Sequence, residues 1–324
     1  MATLTFMTHT IFDHGASGQL GQVLAQYGIT RPLLCTDKGL VNLGMVTDLA
    51  AKLGNDAGLT IFDGTPENPT QMAVEEAVEK YIEAGCDGVV ALGGGSSMDL
   101  AKAVALAVTH EGDLLEYTAG LGGAAKIGPV APLIAIPTTS GTGSEVSSGA
   151  VIIMKNGEKL ILASRNLVPM TAICDPSLTL GLPPILTAAT GMDAMTHCVE
   201  ALLSPQVNPP AEAVACDGIE RGIREGHLLR AVKDGSDEDA RWHMMMAAAE
   251  GAMAFSKGLG AVHSMSHACG ADQTLRLHHG TLNAVILPTI LDFNRDHVGD
   301  KYKRLNAAMG LDSSADPAAF IRDL

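Results

Sequence analysis

The sequence is poor in aromatic residues and in positive charge. Only 3% of its 324 residues are Phe, Trp or Tyr, so the core has to be packed from Ala, Leu, Val, Ile and the 15 Met. Lys and Arg number 21 against 36 Asp and Glu, which gives a formal net charge of −15. Because nucleic acids and anionic membranes bind basic surfaces, this excess of acid disfavours both as partners. Small molecules are the expected ligands.

The sequence also lacks the features that mark a membrane span, a signal peptide or a disulfide framework. No uninterrupted apolar run approaches ~18 residues, and the N-terminus lacks the basic and apolar regions of a signal peptide, so we expect a cytoplasmic protein. The six cysteines form no C-x-x-C pair, which argues against a disulfide framework and against a thiolate zinc site. The chain stops at "AAFIRDL", within a helical stretch. We therefore expect the C-terminal domain to be incomplete.

The order of β-rich and helical stretches predicts two domains. Up to about residue 176, short β-rich runs such as "PLLCTD" alternate with helical stretches, which is typical of a parallel sheet covered by helices. Residues 174–184, "CDPSLTLGLPP", are rich in Pro and Gly and are predicted to form a hinge. Beyond the hinge, Ala-, Met- and Leu-rich stretches recur at helical spacing without a strand pattern. We predict an α/β domain over residues 1–176 and a helical domain over residues 177–324.

Two glycine-containing loops predict a nucleotide site in the first domain. In "GVVALGGGSSMDLAKA" an apolar strand leads through glycines into a helix, whose first amides suit an anion such as a pyrophosphate. The alternative is a tight turn in which Ser96 or Ser97 caps the helix and no ligand binds. "IPTTSGTGSEVSS", residues 136–148, also follows an apolar strand, and loops that end adjacent parallel strands share one crevice. Neither loop is the G-x-G-x-x-G fingerprint of an ordinary Rossmann domain.

Asp37 is a candidate for cofactor selection. It closes the strand "PLLCTD", a place from which a carboxylate accepts hydrogen bonds from a ribose 2′-hydroxyl and repels a 2′-phosphate. This role would favour NAD over NADP. A turn residue before Gly39 is an equally good interpretation of Asp37 alone.

Carboxylate and imidazole groups recur at helical spacing in the second half. Residues four apart on a helix have Cβ atoms ~5–6 Å apart, close enough to bind one ion. Nitrogen and oxygen donors without sulfur fit Fe²⁺ or Zn²⁺ better than Ca²⁺ or Mg²⁺. Each residue alone is more often a packed or surface residue, but three segments in one domain favour a metal site. The donors are Asp193 and His197 in "GMDAMTHCVEA", His263 and His267 in "VHSMSHACG", and His278 and His279 in "LHHGTLNAV".

These segments together resemble the iron-dependent (group III) alcohol dehydrogenases, the family that includes lactaldehyde reductase. The likeness extends over nearly the whole chain, through "TDKGLV", "DGTPENPT", "GGGSSMDLAKA", "IPTTSGTGSEV", the hinge, "TGMDAMTHCVEA" and the histidine segments. It implies a dehydroquinate synthase-like architecture, with an α/β N-terminal nucleotide-binding domain, an all-α C-terminal domain and an active site between them. It also implies an enzyme that transfers a hydride between NAD(P) and a small alcohol or aldehyde. Fe²⁺, or alternatively Zn²⁺, would polarise the substrate oxygen.

The resemblance implies roles for individual residues. It assigns the metal ligands to Asp193, His197, His263 and His279, and it selects His279 because this histidine precedes glycine in the family motif. It places His267, which spacing alone would make a ligand, on the cofactor side near the nicotinamide, where we expect it to relay the proton. The implied cofactor contacts are Asp37 at the ribose, Gly94, Gly95, Ser96 and Asp99 at the pyrophosphate loop, and Thr138, Thr139, Thr142 and Lys159 elsewhere.

Two segments beside the expected substrate pocket depart from the family pattern. "FSKGLGAVH" looks one residue shorter than usual and carries Lys257 where asparagine is frequent, and "HACGADQTLRLHHG" looks about two residues longer. Lys257 and Arg276 are candidates to hold an anionic substrate tail, or else they are solvated surface charges. Small residues such as Gly260 and Gly280 are expected to leave room for a substrate beside the ion.

Two other functions compete with the alcohol dehydrogenase. A zinc enzyme like glycerol dehydrogenase or dehydroquinate synthase shares the architecture. A synthase, however, needs clustered Lys and Arg for its phosphorylated, carboxylated substrate, and the second half offers few. The other alternative is a non-catalytic metal- or nucleotide-binding module. We expect a homodimer, the commonest oligomer.

Overall fold

The computed structural model describes residues 2–5, 8–53, 58–270, 275 and 277–324. Two compact units emerge. One comprises Met1–Thr138 and Ser144–Pro176, and the other comprises Thr139–Gly143 and Ser177–Leu324. The second unit thus includes part of the loop that follows an apolar strand of the first.

The first unit is an α/β structure. Its strands are β1 (Ala2–Thr5), β2 (His9–Phe12), β3 (Pro32–Cys35), β4 (Thr60–Phe62), β5 (Gly88–Gly93), β6 (Leu133–Pro137), β7 (Gly149–Ile153), β8 (Lys159–Ala163) and β9 (Thr171–Cys174). Its helices are α1 (Leu20–Gln26), α2 (Lys38–Asn42), α3 (Met45–Leu53), α4 (Gln71–Glu83) and α5 (Gly95–Ala107). One sheet has the order β1-β2-β9-β6-β5-β3-β4, and β7 and β8 form a separate antiparallel pair.

All neighbours in the larger sheet are parallel except β1 and β2. Strand β5 lies between β3 and β6 and is buried along its whole length, as expected for a strand covered on both faces. The carboxyl ends of β5 and β6 meet, since the N–H of Thr138 donates to the carbonyl of Gly93 at 2.9 Å. The strands before the two predicted phosphate loops are therefore parallel neighbours, as predicted.

The second unit is helical, and its described residues contain no β-strand. Its helices are α6 (Pro184–Leu203), α7 (Pro209–Ile219), α8 (His227–Lys233), α9 (Glu238–Ala254), α10 (Ala261–Cys269), α11 (His279–Asn294), α12 (Lys301–Ala308) and α13 (Pro317–Asp323), with a π-helical turn at Glu220–Arg224. Helix α6 is mostly buried. A Cβ on Gly251 of α9 would lie 3.1 Å from the carbonyl oxygen of Ala194, so glycine lets α9 approach α6 closely.

Candidate active site

Three helices bring the four predicted metal ligands together. Asp193 and His197 lie one turn apart on α6, His263 lies on α10, and His279 is the first residue of α11. Asp193 Oδ1 lies 3.9 Å from Nε2 of His197, 3.5 Å from Nε2 of His263 and 3.5 Å from Nε2 of His279. Asp193, His197 and His263 are buried. One carboxylate oxygen and three imidazole nitrogens thus converge, while their role as ligands stays a prediction.

The electrostatics of this cluster suit a bound cation. Burial opposes ionisation of Asp193, but the imidazoles of His197, His279 and His263 hold its pKa well below the usual range. Burial lowers the pKa of His197 to about 4, so its ring is unprotonated at neutral pH. At His263 burial is outweighed by hydrogen bonds to Asp193 and Glu200, which raise its pKa to about 9. The ionised Asp193 and the neutral His197 suit Fe²⁺ or Zn²⁺, and the carboxylates that favour a proton on His263 also favour a cation that replaces this proton.

Glu200 and Asn283, two residues that the sequence did not point to, also belong to the cluster. Nδ1 of His263 donates to Glu200 Oε2 at 2.7 Å, which leaves Nε2, the nitrogen that faces Asp193, as the one that can bind an ion once its proton is released. Asn283 Nδ2 donates to Asp193 Oδ1 at 2.7 Å and lies 3.2 Å from Nε2 of both His263 and His279. Extending the helical spacing would have found both residues, because Glu200 is i+3 from His197 and Asn283 is i+4 from His279.

Two glycines bring the ligand-bearing helices close to α6. A Cβ on Gly280 would lie 2.1 Å from the carbonyl oxygen of Ala189, and a Cβ on Gly260 would lie 2.7 Å from Glu200 Oε1. The space beside both glycines is therefore filled by α6. Both glycines are therefore required for helix packing, and the expectation that small residues here leave room for a substrate stays a prediction.

His267 lies beside the metal cluster. It follows His263 by one turn of α10, and its ring centroid is 4.8 Å from that of His279 and 6.2 Å from that of His263. The side chain is partly exposed. This position is compatible with the predicted proton relay, which stays a prediction.

The first phosphate loop leads into the N-terminus of α5. Gly94 is the N-cap residue and makes no side-chain capping bond, so neither Ser96 nor Ser97 is the cap, while the binding of a ligand at this loop stays a prediction. Gly93 has a φ of 150°, and a Cβ there would lie 2.5 Å from Ser97 Oγ, so glycine is required. Ser96 Oγ donates to the carbonyl of Glu67 at 2.5 Å. The backbone N–H groups of residues 95 and 96 at this helix start suit a pyrophosphate.

Asp99 and Lys102 tie α5 to the segment after the second loop. Asp99 accepts hydrogen bonds from Ser144 Oγ at 2.7 Å and from the N–H of Val151 at 2.9 Å. The fully buried Lys102 donates to Ser144 Oγ at 2.9 Å and to the carbonyl of Gly149 at 2.7 Å. Burial raises the pKa of Asp99 and lowers that of Lys102 to about 8. Asp99 thus positions the loop through protein contacts, and its contact with a cofactor stays a prediction.

The other predicted cofactor residues are spread over both units. Asp37 Oδ1 accepts from the N–H of Leu40 at 3.1 Å and caps helix α2, so the residue has a structural role, while its ribose contact stays a prediction. Lys159 Nζ donates to Asn68 Oδ1 at 2.9 Å, and burial lowers its pKa. Thr138 belongs to the first unit, whereas Thr139 and Thr142 belong to the second.

Lys257 does not hold a substrate tail, and it is not a solvated surface charge. The residue is buried, and its Nζ donates to the carbonyls of Ala201 at 2.9 Å and Ser204 at 2.7 Å. Its ammonium group also pairs with Glu212 at 2.9 Å. Lys257 therefore satisfies carbonyls at the C-terminus of α6. Arg276, the other candidate, lies outside the described residues.

Two family matches extend over most of the chain. The family described as iron-containing alcohol dehydrogenase matches residues 7–176, and the C-terminal part of the Fe-containing alcohol dehydrogenase family matches residues 187–324. The chain belongs to the iron-containing alcohol dehydrogenase family. It is therefore an enzyme, an oxidoreductase acting on small alcohols, and neither the synthase nor the non-catalytic module is supported.

Relatives of known activity or structure agree with this assignment. The chain is 52% identical to a 4-hydroxybutyrate dehydrogenase of Cupriavidus necator, over 100% of the chain and 86% of that protein. It is 38% identical to a 1,3-propanediol dehydrogenase of Citrobacter freundii, over 92% of the chain and 77% of that protein. The structure of a sulfoacetaldehyde reductase from Bifidobacterium kashiwanohense in complex with NAD⁺ superposes with a TM-score of 0.89 at 27% identity, over 100% of the chain and 85% of that protein.

Membership in the iron-containing alcohol dehydrogenases confirms the predicted fold class and supports Fe²⁺ and NAD as the cofactors. The donor set on α6, α10 and α11 fits such an ion on its own chemistry. Among the helices that the structure describes, none has the length and apolarity needed to span a membrane.

Proposed function

We propose that this iron-containing alcohol dehydrogenase interconverts a short ω-hydroxy acid of the 4-hydroxybutyrate type and its aldehyde, with NAD as the hydride carrier. Support for the substrate class comes from the 52% identity to a 4-hydroxybutyrate dehydrogenase, against 38% to a 1,3-propanediol dehydrogenase. The structural observation that carries the reaction is the convergence of three imidazole Nε2 atoms on Asp193 Oδ1.

The chain's own residues divide the work of the reaction. When bound, Fe²⁺ supplies the Lewis acidity that lowers the pKa of an alcohol, and NAD accepts the hydride. Asp193, His197, His263 and His279 would hold the ion. Glu200 keeps the proton of His263 on Nδ1, so that Nε2 stays available. His267 takes the proton released by the alcohol, and the first amides of α5 hold the pyrophosphate.

The role of His267 is tested by His267→Ala. We expect the variant to bind Fe²⁺ with unchanged stoichiometry but to lose about 10²- to 10⁴-fold in turnover, the usual contribution of a positioned acid or base. Metal analysis and anaerobic kinetics measure the two effects separately. Loss of the ion from this variant would instead make His267 a ligand.

The substrate class is tested by an anaerobic assay with Fe²⁺ and NADH. Succinate semialdehyde, butanal and 3-hydroxypropanal have similar chain lengths. They differ in the group opposite the aldehyde, which is a carboxylate, a methyl group and a hydroxyl group, respectively. We expect kcat/KM to be at least about tenfold higher for the carboxylated aldehyde, a difference of about 1.4 kcal/mol. Asp193→Asn, which removes the central carboxylate charge, serves as the inactive control. Equal rates with butanal would contradict the proposed substrate.

We also propose a cytoplasmic homodimer. Light scattering during size-exclusion chromatography tests the oligomeric state, and a monomeric mass would contradict it.

A further inference from the structure

A second group of potential metal-binding side chains lies on α8, α9 and the turn before α8. Glu225, His227 and His243 each offer a ligand atom, and these atoms lie within 4.8 Å of one another. Asp239 has one carboxylate oxygen 3.7 Å from Nε2 of His227 and the other 3.7 Å from Nε2 of His243. Two imidazoles and two carboxylates therefore share one region of the second unit.

This group repeats the geometry of the candidate active site. Asp239 and His243 have the D-x-x-x-H spacing on α9 that Asp193 and His197 have on α6. The rings of His227 and His243 stack at 4.0 Å with 19° between their planes. The corresponding pair of imidazoles on α6 and α10 stacks at 4.3 Å and 23°. The chain thus contains two stacked imidazole pairs. In each pair, one histidine follows an aspartate by one turn of the same helix.

The hydrogen bonds prepare His227 as a ligand. Its Nδ1 donates to the carbonyl of Arg221 at 2.7 Å, which leaves the Nε2 lone pair directed to the side of Asp239. A histidine whose second nitrogen donates to a carbonyl is the usual arrangement at metal sites. Its side chain is only 7% exposed, so little ordering is needed for binding.

His243 is available at the cost of one hydrogen bond. Arg221 Nη1 lies 3.1 Å from His243 Nδ1 and has to release that nitrogen when Nε2 binds an ion. The guanidinium keeps its pairs with Asp217 at 2.7 Å and Glu250 at 3.3 Å.

One carboxylate oxygen of Asp239 is also available to an ion, because Arg230 pairs with the other. Arg230 lies 3.0 Å from Asp239 Oδ2, and the same guanidinium pairs with Asp237 at 2.9 Å. The other oxygen, Oδ1, is the one that faces Nε2 of His243.

We propose that His227, His243 and Asp239 form a second divalent-metal site, separate from the catalytic cluster, that joins α8 to α9. Glu225 Oε2 lies 3.5 Å from Nδ1 of His227, and its half-exposed carboxylate turns toward the ion as the fourth ligand. Two imidazoles and two carboxylates are a donor set that Zn²⁺ accepts in tetrahedral sites. The site shares no residue with the catalytic cluster, and it does not depend on the proposed function.

Zinc titration of chelator-treated protein tests the site. We expect the wild-type chain to bind two Zn²⁺ ions, while His243→Gln and His227→Gln each bind one. His297→Gln, at an exposed histidine of the same unit, is the matched control and should bind two. The double variant Asp193→Asn/His263→Gln removes the catalytic cluster and should keep one ion, which the further change His243→Gln abolishes. Circular dichroism establishes that each variant is folded.

The position of the ion is checked by anomalous diffraction at the zinc edge on crystals of the wild-type protein. A peak within bonding distance of Nε2 of His227 and Nε2 of His243 supports the site even if a variant fails to fold. A wild-type chain that binds a single ion, lost in Asp193→Asn/His263→Gln, overturns the proposal. Unchanged binding of two ions by a folded His243→Gln variant overturns it as well.

Discussion

Glu200 influences the metal cluster through one hydrogen bond to His263. We expect Glu200→Gln to weaken Fe²⁺ binding by about 10- to 100-fold, because an amide oxygen accepts from Nδ1 of His263 more weakly than a carboxylate and carries no charge that raises the basicity of the imidazole. Competition with a chromophoric chelator measures the affinity. Glu220→Gln is the matched control, since Glu220 pairs with Arg224 at the surface. Equal affinities for the two variants would show that the Glu200 bond has no effect on the ion.

Asp37 makes a structural hydrogen bond and is also predicted to contact the cofactor. A serine at this position distinguishes these two roles. Asp37→Ser keeps a hydroxyl oxygen that caps α2 but removes the charge that would repel a 2′-phosphate. We expect the ratio of kcat/KM for NADPH to that for NADH to rise by about tenfold or more, a change of about 1.4 kcal/mol. Asp48→Ser, on the exposed side of α3, should leave the ratio unchanged. An unaltered ratio in Asp37→Ser would assign Asp37 to capping alone.

Single residues show where the sequence was informative and where it was not. Helical spacing alone places Asp193 and His197 on one face, because that depends only on the local helix. It does not choose between His278 and His279, because that choice depends on how separate helices pack. Both interpretations of Lys257, as a substrate contact and as a surface charge, were wrong for the same reason, since its burial against the end of α6 is a packing effect. Glu200 was missed because a glutamate in a helix is usually a solvated residue.

Helix α6 organises the second unit, because α9, α10 and α11 all contact it near Asp193 or His197. Gly280 sets the distance between α6 and α11, since its Cα faces the carbonyl of Ala189. We expect Gly280→Ala to displace α11, to remove His279 from the cluster and to destabilise the unit by about 1–3 kcal/mol. Metal stoichiometry and thermal unfolding measure the two effects.

Gly181→Ala is the control for this helix displacement. A Cβ at Gly181 meets no described atom within 4 Å, so this variant should keep both the ion and the stability. If Gly280→Ala retains the ion with unchanged affinity, the close approach of α11 to α6 is not required for the site.

Local sequence signals predicted most of the helices and strands. Packing between distant segments accounts for most of the differences between the predicted and the observed structure. Gly44, with a φ of 81°, separates α2 from α3. The hairpin of β7 and β8 was not predicted, although "KNGE" between two apolar runs is a hairpin signal. The assignment of Thr139–Gly143 to the helical unit was not predictable, because it depends on packing. A Cβ on Gly143 would lie 2.2 Å from Ala252 Cβ on α9.

At the scale of the whole molecule, an acidic chain of net charge −15 buries several of its ionisable groups in pairs. Glu145 and Lys102 are both buried in the first unit, and Glu145 Oε2 has no hydrogen-bond partner among the described residues. Burial raises the pKa of Glu145 to about 7, even though Lys102 opposes the shift. Folding stability should therefore depend on pH near neutrality.

The sign follows from the two pKa values of Glu145. Because its pKa rises from 4.5 in the unfolded chain to about 7 in the folded one, its favourable contribution is complete below pH 4.5 and is lost as the pH rises through 7. Glu145→Gln should remove this loss, so that the variant gains up to about 3 kcal/mol relative to the wild type between pH 4.5 and 8. Urea unfolding at several pH values measures the difference, with the exposed Glu76→Gln as control. Parallel pH profiles for Glu145→Gln and the wild type would mean that Glu145 stays ionised in the folded chain, held by Lys102.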